Sequence, residues 1–305
     1  MIITTFLVLA HRDVQHLREL ICALDGNRII IHIDRKSEIN HSTLIDLCQN
    51  SNVILIDKNH SINVKWGGFS QVRAMLILIQ TALPLMSPRE KMMFVSGSDF
   101  PIRSSKDITN FFSDVIETEY LRYYSLDNRK KDTSRWQSYH RWDFRIFKKR
   151  GSFLNRLNSL CIRIVTWFET LLRGPKSIPE FRLMAGSQWF AISKECAEEM
   201  LQLRSKNFDR FFKTMFAPDE VYFATLFAMS KFAKSNVDSG ALICNSVSSR
   251  VFQARNLTYV DESLNKWLDM DDLDRIKNSN FLFARKFDSN ISLELRSLLK
   301  EFYRN

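Results

Sequence analysis

Three segments near the start of the chain decide the fold: IITTFLVLA at residues 2–10, VQHLRELICAL at 14–24 and IIIHI at 29–33. The first and third segments are apolar runs of the length of a buried strand, whereas the apolar residues of the second recur at helical spacing. A strand, a helix and a strand in this order predict a β-α-β unit, in which the two strands run parallel.

The alternation of strands and helices continues along the first third of the chain. We predict a short helix at 44–48, a strand at 53–56, a helix at 70–83 that ends before Pro84, and a strand at 92–95. Buried strands separated by helices indicate an α/β fold with a Rossmann-type, mostly parallel sheet covered by helices on both faces. The sequence shows no internal repeat and no glycine- and serine-rich linker, so we predict a single domain over residues 1–305.

The composition is that of an ordinary globular protein. The 305 residues are 45% hydrophobic and 26% charged, which excludes a disordered or low-complexity chain. The five cysteines are odd in number, widely scattered and free of any CxxC pair. The sequence therefore predicts neither a disulfide framework nor a zinc site.

The N-terminal strand has no basic segment before it and is followed by polar residues, so we interpret it as a buried strand and not as a signal peptide. No run of 18 apolar residues occurs, and we expect no segment that spans a bilayer. Together with the unpaired cysteines, these features lead us to expect a cytoplasmic protein.

Positive charge is concentrated in one part of the chain. The formal net charge is +10, and residues 122–150 hold ten basic and three acidic side chains, which gives +7 in that stretch alone. A solvated face, an anionic substrate, nucleic acid or an anionic membrane surface would each account for this cluster. Nucleic acid is the weakest interpretation because no recognised binding motif accompanies the charge, and we expect none as a partner.

Residues 152–173 predict an amphipathic helix directly after the basic Lys148, Lys149 and Arg150. Two interpretations stay open. The helix either buries Phe153, Leu157, Leu160, Ile164 and Phe168 in the protein core or lies in a membrane interface. In the second case residues 148–173 contact an anionic membrane surface, and the protein is peripheral on the inner face of the cell membrane.

Polar residues follow three of the predicted strands. Ala10-His11-Arg12, Asp34-Arg35-Lys36 and Ser96-Gly97-Ser98-Asp99 stand at their carboxyl ends. In open α/β sheets ligands bind beyond these ends, near the point where the strand order reverses. We therefore expect the functional site there.

Seven short strings mark this edge and the second half of the chain: LVLAHRD (7–13), IHIDRKS (31–37), VKWGGFS (64–70), SGSDFPI (96–102), GSQWF (186–190), APDE (217–220) and FARKFD (283–288). In this order they resemble the core-2/I-branching β-1,6-N-acetylglucosaminyltransferase family, which also contains the peptide O-xylosyltransferases. The resemblance covers nearly the whole chain and suggests a bacterial-type member.

The resemblance implies an inverting glycosyltransferase of the GT-A class that uses a UDP-sugar and needs no metal or other cofactor. It implies a nucleotide-binding half at residues 1–124 and an acceptor-binding and catalytic half at 125–305. Both implications agree with the α/β opening of the sequence.

Glu220 in APDE matches the family's catalytic base, which takes the proton of the acceptor hydroxyl. Proline followed by two acidic residues is also an ordinary helix-start signature, and without the resemblance we would prefer that interpretation. Lys286 in FARKFD matches the lysine that contacts the diphosphate. The family pairs this lysine with an arginine, but Thr258 occupies the corresponding position, and Arg255 or Arg250 could substitute.

A DxD pattern at Asp269-Met270-Asp271 could suggest a metal site. It stands among further acidic residues before a helical pattern, so we interpret it as an acidic helix start and predict no metal ligands.

The resemblance also implies ligand contacts along the sheet edge. Ala10, His11 and Asp34 are expected to contact the nucleotide, and Trp66, followed by Gly67 and Gly68, is expected to lie against the donor. Contacts to the donor sugar or the acceptor are expected from Ser98 and Asp99 of SGSDFPI and from Gln188 and Trp189 of GSQWF. Arg135 and His140, in the aromatic and basic stretch RWQSYHRWDF at 135–144, are further candidates for the acceptor side. Flat rings and polar side chains of this kind are what sugar sites use.

The sequence thus predicts transfer of a sugar from a UDP-sugar to a glycan acceptor, free or lipid-linked, in the synthesis of a cell-surface polysaccharide. UDP-N-acetylglucosamine is the first donor to test and UDP-xylose the second. Two other classes stay open: a non-catalytic protein of the same fold that binds glycans or nucleotides, and a basic protein of the membrane surface. Retention of Glu220 and Lys286 speaks against the first of these, and the missing arginine speaks for it.

Overall fold

A computed structural model describes residues 3–44, 46, 52–126, 136–143, 152–174, 176–177, 179–243 and 257–304. Within these ranges the strands are β1 (Thr5–Ala10), β2 (Arg28–Ile33), β3 (Val53–Leu55), β4 (Lys91–Ser96), β5 (Asp99–Pro101), β6 (Tyr123–Ser125), β7 (Met184–Gly186), β8 (Ala191–Ser193), β9 (Thr258–Val260) and β10 (Phe283–Arg285). The α-helices are α1 (Val14–Ala23), α2 (Phe69–Ala82), α3 (Ser105–Asp114), α4 (Ser152–Arg173), α5 (Lys194–Gln202), α6 (Lys206–Phe212), α7 (Asp219–Met229), α8 (Leu273–Lys277) and α9 (Leu293–Arg304).

The central sheet has the strand order β3-β2-β1-β4-β8. Strands β1 to β4 pair in parallel, and β8 pairs antiparallel with β4 so that Met92 lies opposite Ile192. The predicted α/β fold with a mostly parallel, Rossmann-type sheet is therefore confirmed.

Helices cover both faces of this sheet because its strands are apolar on both sides. Leu7 of β1 packs into the cluster that contains α2 and α7, whereas its neighbours Phe6 and Val8 pack with α1 and α3. All three side chains are fully buried, and each contributes about 1.5–3 kcal/mol relative to exposure in water. Alternating side chains on a twice-covered strand explain the unbroken apolar run of the sequence.

A second, three-stranded sheet with the order β5-β10-β9 stands next to the end of β4. Gly97 lies in the turn between β4 and β5, and a Cβ atom there would come within 2.9 Å of the Ala10 Cβ. The turn therefore holds the two sheets close together at the carboxyl end of β1. Helix α9 covers the second sheet through Leu295 and Leu299.

Most predicted elements agree with the observed ones within one to three residues. The short helix predicted at 44–48 is not tested, because residues 45, 47 and 48 lie outside the described ranges; Leu44 ends a 3₁₀ turn at His41–Leu44. The helix predicted at 152–173 is confirmed as α4. The acidic helix start is also confirmed, since Asp269 caps a 3₁₀ turn at Met270–Asp272 that leads into α8.

Helix α4 does not bury the side chains that a core-facing helix would bury. Phe153, Leu160, Ile164 and Phe168 are all exposed, and Leu157 is only half-buried. The core-facing interpretation of these five side chains is therefore wrong, because the helix packs through a different side, with Asn158, Ile162 and Thr170 among its members. No helix in the described part of the chain is long and apolar enough to cross a membrane.

Candidate active site

A cavity of about 340 Å³ opens at the carboxyl ends of β1, β2 and β4. Residues from all seven strings line it, although they are up to 276 residues apart in the chain. Seven of the sequence-predicted side chains lie in its wall: Ala10, His11, Asp34, Trp66, Gln188, Trp189 and Glu220. The sheet edge therefore does bring the predicted nucleotide residues and the predicted base into one site.

Asp34 is fixed at the end of β2 by several hydrogen bonds. Its backbone N–H donates to the Ala10 carbonyl at 2.9 Å, and its carboxylate accepts from the backbone N–H groups of Lys36 and Val64 at 3.1 and 3.3 Å. The Lys36 ammonium lies 3.0 Å from the same carboxylate. The side chain is only 7% exposed, so these partners are needed to hold a charged group there.

A second cavity of about 400 Å³ adjoins the first on the side of α1. His11, Asp34 and Lys36 line both cavities, and Arg12, Asp13, Ser37 and Glu38 add further polar side chains to the second. Burial lowers the pKa of His11, and the neighbouring Arg12 lowers it further, so its imidazole is neutral at pH 7.

Trp66 forms a projecting part of the cavity rim. Its side chain is 74% exposed and meets the ring of Phe216 edge-on, with ring centroids 5.6 Å apart. The next residue, Gly67, has a φ of 75°, and a Cβ atom there would come within 2.9 Å of the Phe216 ring. The backbone N–H of Ala217 donates to the Gly67 carbonyl at 2.9 Å, which ties the Trp66 loop to the start of α7.

Glu220 stands in the first turn of α7, for which Pro218 is the N-cap residue. Both interpretations of APDE therefore hold at once: a helix begins there, and Glu220 lines the cavity. The next residues, Val221 and Tyr222, are fully buried and fix the helix against the core. The backbone that carries Glu220 is therefore held in place at the cavity.

Arg285 is the main residue of the cavity wall that the sequence analysis did not single out. Its guanidinium lies 3.0 Å from the Asp99 carboxylate and 4.7 Å from the centre of the Trp189 ring. Its position directly before Lys286 in FARKFD is the signal that could have drawn attention to it.

Asp99 and Ser98 lie behind the cavity wall and not in it. Asp99 is fully buried, and its carboxylate also accepts from the Ser96 backbone N–H at 2.7 Å. Burial raises the pKa of Asp99, and the ion pair with Arg285 opposes that shift. Neither residue lines the cavity, so the direct contact with a sugar that the sequence predicted is not found for either of them. Asp99 contacts Arg285 of the cavity wall instead.

Lys286 lies next to the cavity, where it donates a hydrogen bond to the Asn265 amide oxygen at 3.1 Å. Burial lowers the pKa of Lys286, and the positive charges of Arg285 and Arg12 lower it further. The Arg12 guanidinium stacks on Trp267 at 4.4 Å from the ring centre. These cations, with Lys36, give this end of the site a positive potential.

Thr258 is buried in β9 opposite Phe283 and carries no charge toward the site. Both substitutes named from the sequence, Arg250 and Arg255, lie outside the described residues, as does Arg135. Among the described residues, Arg285 and Arg12 are the arginines whose positive charges lower the pKa of Lys286.

His140 does not line the main cavity, and its ring centroid lies 6.0 Å from that of Phe216. It lines a separate cavity of about 390 Å³ together with Trp142, Phe216 and residues of α4. The structure therefore does not bring His140 together with the other predicted residues of the main cavity.

The acidic residues of the DxD pattern are used within their own turn. Asp269 accepts a hydrogen bond from the backbone N–H of Asp271, and Asp272 pairs with Lys266 at 2.8 Å. None of them lines the cavity, and the described residues contain no group of three side chains suited to hold a metal ion.

Sequence comparison finds similar proteins of known activity. The chain is 24% identical over 318 residues to the Bos taurus beta-1,3-galactosyl-O-glycosyl-glycoprotein beta-1,6-N-acetylglucosaminyltransferase, covering 98% of this chain and 69% of that protein. It is 22% identical over 225 residues to the Rattus norvegicus xylosyltransferase 1, covering 70% of this chain but only 24% of that protein. A crystal structure of S. aureus TarS 1-349 aligns with a TM-score of 0.32 and 11% identity over 72% of this chain and 56% of that one.

The family profile of the core-2/I-branching enzymes matches residues 4–264, which include the ends of β1, β2 and β4 as well as Glu220. The profile thus covers most of the cavity wall described above. The chain belongs to the core-2/I-branching enzyme family of glycosyltransferases.

Proposed function

We propose that this glycosyltransferase moves a sugar, N-acetylglucosamine in the first instance, from a UDP-sugar to a hydroxyl group of a glycan acceptor with inversion at the anomeric carbon and without a metal ion. One observation carries the proposal. A carboxylate on a rigid helix start, Glu220, lines the same cavity as the nucleotide-side carboxylate Asp34 and the cation Arg285.

Inverting transfer needs a base near the acceptor. Glu220 accepts the proton of the acceptor hydroxyl while the oxygen attacks the anomeric carbon and the bond from that carbon to the UDP oxygen breaks. The proton ends on Glu220, and the electron pair of the broken bond leaves with UDP. The exposed side chain of Glu220 is able to meet an acceptor that enters from solvent.

The departing diphosphate gains negative charge, which cations at this end of the site would stabilise. Arg285, Lys286 and Arg12 supply three positive charges from the described residues, so no metal ion is required in the proposal. Asp99 acts as a positioning residue because its ion pair holds the Arg285 guanidinium against Trp189.

The two adjoining cavities suit the two parts of the donor. The nucleoside would occupy the cavity between α1 and the end of β2, where Asp34 and Ser37 offer oxygen atoms to hydroxyl and N–H groups. The sugar would extend into the main cavity toward Glu220, and the rings of Trp66 and Trp189 would support the sugar rings of donor and acceptor.

A second candidate donor is UDP-xylose, which the similarity to xylosyltransferase 1 favours. A cytoplasmic location and a cell-surface polysaccharide as the product stay predictions of the sequence.

UDP release from a panel of UDP-sugars, with and without glycan acceptors, tests the proposal. Glu220→Gln keeps the shape of the side chain but removes proton acceptance, so transfer should fall by about two to four orders of magnitude while UDP affinity stays unchanged. The matched control is Glu262→Gln, an exposed glutamate outside the cavity, which should transfer normally. UDP binding without turnover of any donor would indicate a non-catalytic protein, and normal transfer by Glu220→Gln would exclude it as the base.

A further inference from the structure

Helix α4 is amphipathic with its apolar side turned outward. Along one stripe, seven large apolar side chains are each more than half exposed: Phe153, Leu160, Ile164, Trp167, Phe168, Leu171 and Leu172. The first two residues are two helical turns apart, and the others follow at steps of one, three or four, so they lie along one side of the helix over about 30 Å at 1.5 Å per residue.

The opposite side of α4 holds the helix on the protein through polar contacts. Glu169 accepts hydrogen bonds from the Arg141 guanidinium, one of them at 2.9 Å, and the Tyr139 backbone N–H donates to the Thr170 hydroxyl at 3.5 Å. Asn158 and Ile162 are buried on the same side. Rotation of the helix would bury its apolar stripe only by breaking these contacts, so the orientation is built into the fold.

An apolar surface of this size is costly in water. Burial of one such side chain is favourable by about 1.5–3 kcal/mol, and contiguous patches of this kind on soluble proteins usually mark contact sites. The stripe therefore calls for a partner that covers it.

The charges beside the stripe indicate which partner fits. Arg156 and Arg163 are exposed one turn before Leu160 and Trp167 and follow one border of the stripe. The sequence Lys148-Lys149-Arg150 immediately precedes the helix. Two copies of the chain that met through this face would bring like charges together, whereas an anionic lipid surface is complementary to both the charges and the apolar stripe.

We propose that α4 lies in the interface of an anionic lipid bilayer, parallel to its surface, with the apolar stripe among the acyl chains and the arginines at the headgroups. Tryptophan and phenylalanine on the stripe suit this depth, since aromatic side chains favour the interfacial region.

The lipid contact would stand beside the active site. Trp167 and Ile162 of α4 line the 390 Å³ cavity together with Phe216, whose ring also contacts Trp66 on the rim of the main cavity. If the protein transfers a sugar as proposed above, this arrangement favours an acceptor that is itself anchored in the bilayer. The membrane contact does not depend on transfer.

Sedimentation of the protein with lipid vesicles tests the contact. The wild type should bind vesicles that contain phosphatidylglycerol at low salt, less at high salt, and phosphatidylcholine vesicles hardly at all. Ile164→Glu with Leu171→Glu should reduce binding by about a hundredfold, since each substitution loses at least about 1.4 kcal/mol of burial, which is tenfold in affinity. Leu293→Glu, a similarly exposed leucine on α9, is the matched control and should bind as the wild type.

A second measurement needs no variant with added charge. Spin-labelled lipids should quench the fluorescence of Trp167, which is obtained as the difference between the wild type and Trp167→Phe. Absence of quenching, or failure of the folded wild type to bind anionic vesicles at low salt, overturns the proposal. The proposal would also be overturned if the wild type formed a concentration-dependent dimer and the double variant Ile164→Glu with Leu171→Glu were a monomer. The stripe would then be the contact surface of a second copy. Because vesicle binding needs no donor, either failure leaves the proposed transfer reaction standing.

Discussion

Arg285 links a fully buried carboxylate to the wall of the active-site cavity. It pairs with Asp99 on one side and stacks on Trp189 on the other. Lysine at this position would keep the charge but lose the planar guanidinium group, with its paired N–H donors and its stacking on Trp189. We expect Arg285→Lys to raise the KM for the UDP-sugar and lower kcat/KM by about ten- to a hundredfold. Steady-state kinetics checks this, and Arg275→Lys, an exposed arginine on α8, should behave as the wild type.

Lys286 and metal dependence can be tested together. Lys286→Ala removes one of the three cations and should weaken UDP binding and slow turnover. The expected loss of transition-state stabilisation is about 2–4 kcal/mol. In the wild type, EDTA should leave transfer unchanged. A strict requirement for manganese would contradict the proposed role of the cations, and calorimetric titration with UDP would show whether binding alone has changed.

Short motifs predicted those site residues that stand directly at a strand or helix end. Asp34 follows β2 and Glu220 begins α7, so the ends of two elements place their side chains. The sequence analysis missed Arg285 and misplaced Asp99 because the two side chains bind each other across 186 residues of sequence. A motif names a residue type, but the direction of its side chain depends on packing that no local pattern contains.

The loop of Trp66 and the start of α7 act as one unit, and Gly67 is the residue that permits it. Alanine there would adopt an unfavourable φ of 75° and meet Phe216 at 2.9 Å. We expect Gly67→Ala to lower the free energy of unfolding by about 1–2 kcal/mol and to reduce transfer at a given amount of folded protein. Gly26→Ala carries a similar strain at φ 84° with no neighbour within 4 Å, so its activity per folded molecule should be normal.

At the level of elements, the buried strands and long helices were predictable because apolar runs and helical spacing are local properties. The orientation of α4 was not. A helical stripe shows that two faces differ, but only the contacts that Arg141 and Tyr139 make with Glu169 and Thr170 show which face is packed. The short helix expected at 44–48 stays a prediction, because most of these residues lie outside the described part of the chain.

Across the whole molecule, His16 connects the N-terminal helix to the C-terminal one. Its Nδ1 accepts from the Arg296 guanidinium of α9 at 3.1 Å, and its Nε2 lies 3.0 Å from the Asp99 carbonyl, to which it donates. Burial lowers the pKa of His16 to about 4. Asp13, Glu19 and Arg296 are the other charged groups that act on this ring.

Since the unfolded chain binds a proton at His16 below pH 6.5 and the folded chain does not until about pH 4, the folded state loses stability as the pH falls between these values. The loss should reach about 3 kcal/mol at pH 4. Asp99, whose pKa is raised, acts in the opposite sense. The quantity to measure by urea unfolding is therefore the difference in pH slope between the wild type and His16→Gln, and equal slopes would contradict the prediction.

The wall shared by the two adjoining cavities has a consequence for inhibitor design. His11, Asp34 and Lys36 face both the 340 Å³ and the 400 Å³ space, so a path of a few bonds leads from one to the other. Two weak fragments, one for each space, would gain from a short linker because the second binding event becomes intramolecular. The combined dissociation constant is the product of the two separate constants divided by the effective concentration, so at about 1 mM effective concentration two fragments of about 10 μM affinity would combine to about 0.1 μM.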